Sequence, residues 1–162
     1  MSIFEFAMKM EQDGEKFYRD LAGKTTNAGL KQIFTYLADE EVKHYTLFKG
    51  LLERQPSDYE STDILADSKN VFAQMKESGS VDVTDDASQL EAYKQALEWE
   101  KKAYEFFEEK CAEATDPKEK KFLETIAKEE RRHYRLIDGI IEFIARPESW
   151  VENAEFNQLT DY

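Results

Sequence analysis

The chain has 162 residues, 41 % of them hydrophobic and 13 % aromatic, which is one domain's worth of sequence with enough apolar side chains for a core. Its net charge of −13 sets it against nucleic-acid backbones and anionic membranes, and its one cysteine, Cys111, excludes an internal disulfide and any four-cysteine metal site. Six glycines and three prolines among abundant Glu, Lys, Leu and Ala favour long helices, so an all-α fold is expected. Cations are the natural counterpart of such a charge, although acidic helix faces also serve solubility alone. No apolar run approaches the roughly 20 residues that cross a bilayer, and no basic-then-apolar leader opens the sequence. The expected location is the cytoplasm, with neither nucleic acid nor membrane as a partner.

In chain order, four stretches place apolar residues at alternating steps of three and four, the seam of a helix packed on other helices. The first runs through Phe4, Ala7, Glu11, Gly14, Tyr18 and Leu21, and a turn follows from Gly23 to Asn27. The second runs through Leu30, Phe34, Leu37, Glu41, His44, Phe48 and Leu51. Residues 54 to about 86 read as a polar connector containing Pro56, Gly79 and a short helix near Asp63 to Glu77. The third seam is Tyr93, Ala96, Glu100, Ala103 and Phe107. Thr115-Asp116-Pro117 then starts the fourth helix, whose seam is Leu123, Ile126, Glu130, His133, Ile137, Ile140 and Ile144. The reading is two helical hairpins forming a four-helix bundle over residues 1–146. A tail at 147–162, with Trp150 and Phe156, is expected to pack on the bundle or on a neighbouring subunit.

Both histidines follow a glutamate by three residues, in Glu41-Val42-Lys43-His44 and Glu130-Arg131-Arg132-His133, and the two copies lie 89 residues apart. The same offset relates Glu11 to Glu100, so six candidate ligands come as two sets of three: Glu11, Glu41, His44 and Glu100, Glu130, His133. Glu11 and Glu41 are equidistant from residue 26 in the first turn, and Glu100 and Glu130 from residue 115 in the second. On antiparallel helices each pair therefore lies at one level, about 22 Å from its turn. Four carboxylates buried at one level would be prohibitive unless protons or metal ions compensate them, since no lysine or arginine holds a seam position there. Two divalent ions balance four glutamates. In Glu-x-x-His the two side chains share a helix face, so each motif can offer one carboxylate oxygen and one imidazole nitrogen, while Glu11 and Glu100 complete or bridge the pair. Carboxylate and imidazole suit iron or manganese, since neither requires thiolates.

Glu11 with Tyr18 seven residues on, Glu41-x-x-His44, Glu100 and Glu130-x-x-His133 resemble the di-iron ferritin-like domain of the rubrerythrin family, from about residue 3 to 145. The resemblance implies a ferritin-like bundle whose long crossover makes its second and third helices parallel. It also implies two iron ions, and activity towards hydrogen peroxide or dioxygen. Two departures stand out. Rubrerythrins proper carry a four-cysteine rubredoxin domain, which Cys111 alone cannot supply, so an external donor such as a rubredoxin-type protein is expected. They also carry a glutamate three residues after the third-helix ligand, which exchanges with a histidine as the iron changes oxidation state; here Ala103 holds that position. Ala103 and its repeat partner Gly14 either leave room for the oxidant or for a mobile carboxylate such as Glu15, or allow close helix packing. Tyr18 reads as a hydrogen-bond partner of a ligand carboxylate, or as core; its repeat partner Phe107 has no hydroxyl. The leading function is a di-iron oxidoreductase, expected as a homodimer. The alternatives are ferroxidase-type iron handling and a non-enzymatic bundle that binds a partner.

Overall fold

The computed structural model describes residues 2–55, 59–79, 81–152 and 159. Among them there are seven helices and no strand: α1 (Ile3–Lys24), α2 (Ala28–Leu52), α3 (Ile64–Ser78), α4 (Thr84–Ala87), α5 (Leu90–Glu113), α6 (Pro117–Ala145) and α7 (Pro147–Glu152). The all-α bundle expected from the seams, with the ferritin-like topology that the resemblance implies, is the fold. No helix among the described residues is long and apolar enough to cross a membrane.

The helix starts follow from capping chemistry. Ser2 accepts a hydrogen bond from the N–H of Glu5, Asn27 from that of Leu30, and Asp116 from that of Lys118 with Pro117 just inside the helix. Asn27 has a second role: its amide donates to the carbonyl of Asp82 at 3.1 Å, tying the first turn to the crossover. Gly79 ends α3 in the left-handed region, φ 71°, where a side chain would be strained.

α1 packs along α2 and α5 along α6, which gives the two hairpins. Across the bundle Glu40 meets His133 while His44 meets Glu129, so α2 and α6 run antiparallel and α2 and α5 run parallel, as a long crossover requires. The apolar core falls into two clusters. One holds Tyr18, Phe34, Leu37, Tyr93, Ile137 and Ile140, and the other Ala7, Leu47, Phe48, Phe107, Leu123 and Ile126. On every long helix the glutamates and histidines lie between the two sets, so the bundle is apolar at both ends and carboxylate-rich in the middle.

The connector is less polar than its composition suggests. α3 buries Ile64, Leu65, Val71, Phe72 and Met75, and Val83 joins them in the first cluster. The tail packs on its own bundle as far as it is described: Trp150 sits 5.9 Å from Phe72, ring to ring. A Cβ at Gly139 would meet Leu159 at 2.8 Å and Trp150 at 3.4 Å, so a larger residue there would push the end of the Leu159 side chain aside. Phe156 lies outside the described residues.

Candidate metal centre

All six predicted residues converge. Glu11 comes from α1, Glu41 and His44 from α2, Glu100 from α5, and Glu130 and His133 from α6, and none exposes more than 2 % of its surface. One ligand-capable atom from each of Glu11, Glu41, His44 and Glu130 lies within 4.8 Å of the others, and the same holds for Glu41, Glu100, Glu130 and His133. The two groups share Glu41 and Glu130. Two ions held there would share Glu41 and Glu130, while Glu11 and Glu100, read from sequence as completing or bridging the pair, would each complete one group.

The inner atoms do not satisfy one another. Glu11 Oε2, Glu41 Oε1, Glu100 Oε2 and His133 Nδ1 are buried with no hydrogen-bond partner. His44 Nδ1 faces Glu130 Oε1 at 3.0 Å and Glu11 Oε2 at 3.4 Å, and His133 Nδ1 faces Glu41 at 3.4 Å and both Glu100 and Glu130 at 3.5 Å. Burial, with the repulsion of Glu130, raises the pKa of Glu11; burial with Glu11 and Glu130 pushes Glu41 well up, and burial with Glu130 does the same to Glu100. Burial also acts on Glu130, but the His133 and His44 imidazoles beside it outweigh burial and hold that carboxyl well below the usual range. Burial alone would lower both imidazoles; the charges of Glu11 and of Glu100 lead the groups that instead raise His44 and His133 well above the ordinary value. Without metal, then, protons occupy a space lined with lone pairs. Two cations would take over that role with the same donors, so the residues present fit a dinuclear carboxylate–imidazole site.

Around this inner set lies a second carboxylate pair that the seam pattern did not reveal. Glu40 and Glu129 are buried, and each faces the outer nitrogen of the histidine on the opposite helix: His44 Nε2 to Glu129 at 3.0 Å, His133 Nε2 to Glu40 at 3.2 Å. These bonds fix the ring orientation and turn both Nδ1 atoms inward. Glu129 also accepts from the Tyr59 hydroxyl at 2.7 Å and the Thr62 N–H at 2.9 Å, and the Thr62 hydroxyl donates to Glu40. Burial pushes both carboxyls up, yet the imidazoles and these donors win, and both lie below the ordinary value. The signal for them was present, since 40 and 129 are also 89 apart.

The remaining predicted positions divide. The Tyr18 hydroxyl donates to Glu100, whereas Phe107 stacks on Phe48 at 5.4 Å in the apolar cluster. Gly14 abuts Glu41: a Cβ there would stand 3.0 Å from Oε2 and 3.1 Å from Cδ. Ala103 is buried. Glu15 is not brought to the site; it lies on the half-exposed side of α1 and accepts from Arg19 at 3.1 and 3.2 Å.

An antiparallel-hairpin bundle with a long crossover and a central layer of four glutamates and two histidines is the architecture of ferritin-like carboxylate proteins, with donors enough for two metal ions. Comparison with protein families matches residues 2–141 to Rubrerythrin, and the chain belongs to that family. Comparisons with curated proteins and with solved structures give no match.

Proposed function

We propose that the protein is a rubrerythrin-like di-iron oxidoreductase that reduces hydrogen peroxide or dioxygen, with electrons supplied by a donor outside these 162 residues. The observation that carries it is the overlap of two four-residue donor groups on a shared Glu41–Glu130 pair, in a sealed bundle centre where several lone pairs have no partner. Glu11, Glu41, His44 and Glu130 would hold one iron ion and Glu41, Glu100, Glu130 and His133 the other. When bound, the pair supplies one electron from each ion, so hydrogen peroxide with two electrons and two protons becomes two waters.

The chain's own residues shape the rest of the chemistry. The apolar clusters on both sides of the layer exclude bulk water, which strengthens each electrostatic contact within it. The outer carboxylates fix both imidazoles, and Tyr18 holds one oxygen of Glu100. Gly14 leaves Glu41 a space that a methyl group would fill. With Ala103 in place of the exchanging glutamate of the family resemblance, the preference for peroxide over dioxygen is weaker than that resemblance implies. One cysteine in 162 residues holds no four-cysteine electron-transfer site, so turnover needs an added donor such as a rubredoxin-type protein.

The test is stopped-flow mixing of the reduced, iron-loaded protein with each oxidant, with and without that donor. Oxidation within minutes, and repeated turnover only with the donor, is the expected result. Oxidation of added ferrous ions without donor-dependent turnover would move the function to iron handling, and no oxidation by either oxidant would end the enzyme reading.

A further inference from the structure

The crossover does more than link the hairpins. Its residues 59–62 lie over the outer edge of both histidines and supply one hydroxyl to each half of the site. The Tyr59 hydroxyl donates to Glu129, the partner of His44; the Thr62 hydroxyl donates to Glu40, the partner of His133. The Thr62 N–H adds a second donor to Glu129 at 2.9 Å, and the guanidinium of Arg132, one residue from His133, donates to the Thr62 carbonyl at 2.8 Å. The Thr62 hydroxyl also stands 3.1 Å from Glu129, but a hydroxyl has one proton to give. Since Glu129 already accepts from His44, Tyr59 and the Thr62 N–H, the Thr62 proton goes to the nearer Glu40, which among the described residues accepts otherwise from His133 alone.

We infer that Tyr59 and Thr62 are positioning residues of the metal centre: the crossover clips the outer carboxylates in place, and each hydroxyl holds one imidazole. The inference rests on the metal-site reading above. It predicts an asymmetry, because loss of the Thr62 hydroxyl leaves Glu40 with the ring alone, whereas loss of the Tyr59 hydroxyl leaves Glu129 its two other donors. Thr62 therefore matters more, and to His133; Tyr59 matters less, and to His44.

With only two histidines, the ring N–H signals of the full chain separate the two halves by NMR, and zinc serves as a redox-inert probe of affinity. Thr62→Val is expected to weaken zinc binding about tenfold, the low end of what losing a ligand-orienting partner costs. It should also move or broaden the His133 Nε2–H signal and leave that of His44 in place. Thr62→Ser should restore both, which a purely steric role of the side chain would not require. Tyr59→Phe should move the His44 signal with a smaller loss of affinity. A folded Thr62→Val protein with wild-type zinc affinity and an unchanged His133 signal overturns the inference. If that variant does not fold, Tyr59→Phe decides: a change confined to His44 supports the clip, and a change at neither ring or equally at both overturns it. Should the wild type bind no zinc, the metal-centre reading fails while the ring signals of the metal-free protein still test the clip.

Discussion

Glu40 and Glu129 are buried about as deeply as Glu11 and Glu41, yet the two pairs live under opposite rules. Each outer carboxylate accepts from an imidazole and from at least one crossover donor, so its charge is compensated within the protein and its pKa is lowered. The inner carboxylates mostly face one another and the Nδ1 atoms, several of their oxygens have no partner, and three of the four have raised pKa values. Burial is common to both regions; what differs is whether the chain itself brings the compensating donor. The outer pair is satisfied by the chain itself, and the inner set is the one whose open oxygens cations would complete.

The comparison breaks most visibly where the inner groups overlap. Glu130→Ala or Glu41→Ala removes a member of both donor groups and should lose most bound metal, while Glu11→Ala or Glu100→Ala should retain up to one ion per chain. Metal analysis after gel filtration distinguishes the two patterns. Equal losses in all four variants would dissolve the distinction between shared and unshared glutamates.

Acidity separates the regions next. Glu11, Glu41 and Glu100 have folded pKa values above 4.5, and His44 and His133 above 6.5. Such groups contribute stability below their unfolded values and lose it as pH rises through the folded ones. Glu40, Glu129 and Glu130 lie below 4.5, so their contribution is present above that value and is lost as pH falls through the folded ones. Metal-free protein should therefore melt several degrees higher at about pH 5.5 than at about pH 8, and lose the gain under stronger acid. Metal-bound protein should respond in the other sense between those two values, because protons compete with cations for the ligands. Parallel melting curves for the two forms would count against an inner set that depends on metal.

Two smaller substitutions sharpen the picture. Gly14→Ala puts a methyl group 3.0 Å from the Glu41 oxygen, so metal affinity should fall by about tenfold, while the metal-free fold holds or gains up to about 1 kcal/mol from helix propensity. A titration and a melt on the same variant check both signs. Tyr18→Phe removes a single hydrogen bond to Glu100 and should cost affinity only about fivefold, roughly 1 kcal/mol; Phe107 already fills the repeat-related position without a hydroxyl.

The inner region was legible in the sequence because its glutamates and histidines occupy seam positions, where a charge is conspicuous against a run of apolar residues. Repeat spacing and equal distances from the turns then placed the four carboxylates at one level, each Glu-x-x-His histidine on the same face as its glutamate. The outer pair escaped notice because residues 40 and 129 each precede a seam position by one, about 100° round the helix, where an acidic residue ordinarily faces water. What buries them is a tertiary event: α2 and α6 turn these faces towards each other and residues 59–62 cover them. For the same reason the connector read as polar. The apolar residues of α3 are spread among charged ones, and their common face is visible only once Phe72 meets Phe143 at 5.3 Å. Glu15 shows the converse limit, since its place beside Gly14 in sequence says nothing of the Arg19 that holds it outside.

The most direct measurement is metal content. Protein loaded with ferrous iron without oxygen, freed of excess metal and analysed per chain, should carry two irons and gain a near-ultraviolet absorption band on exposure to air, and the His44→Ala and His133→Ala variants should each hold markedly less. No iron in the wild type, or the same amount in both histidine variants as in the wild type, would contradict the account.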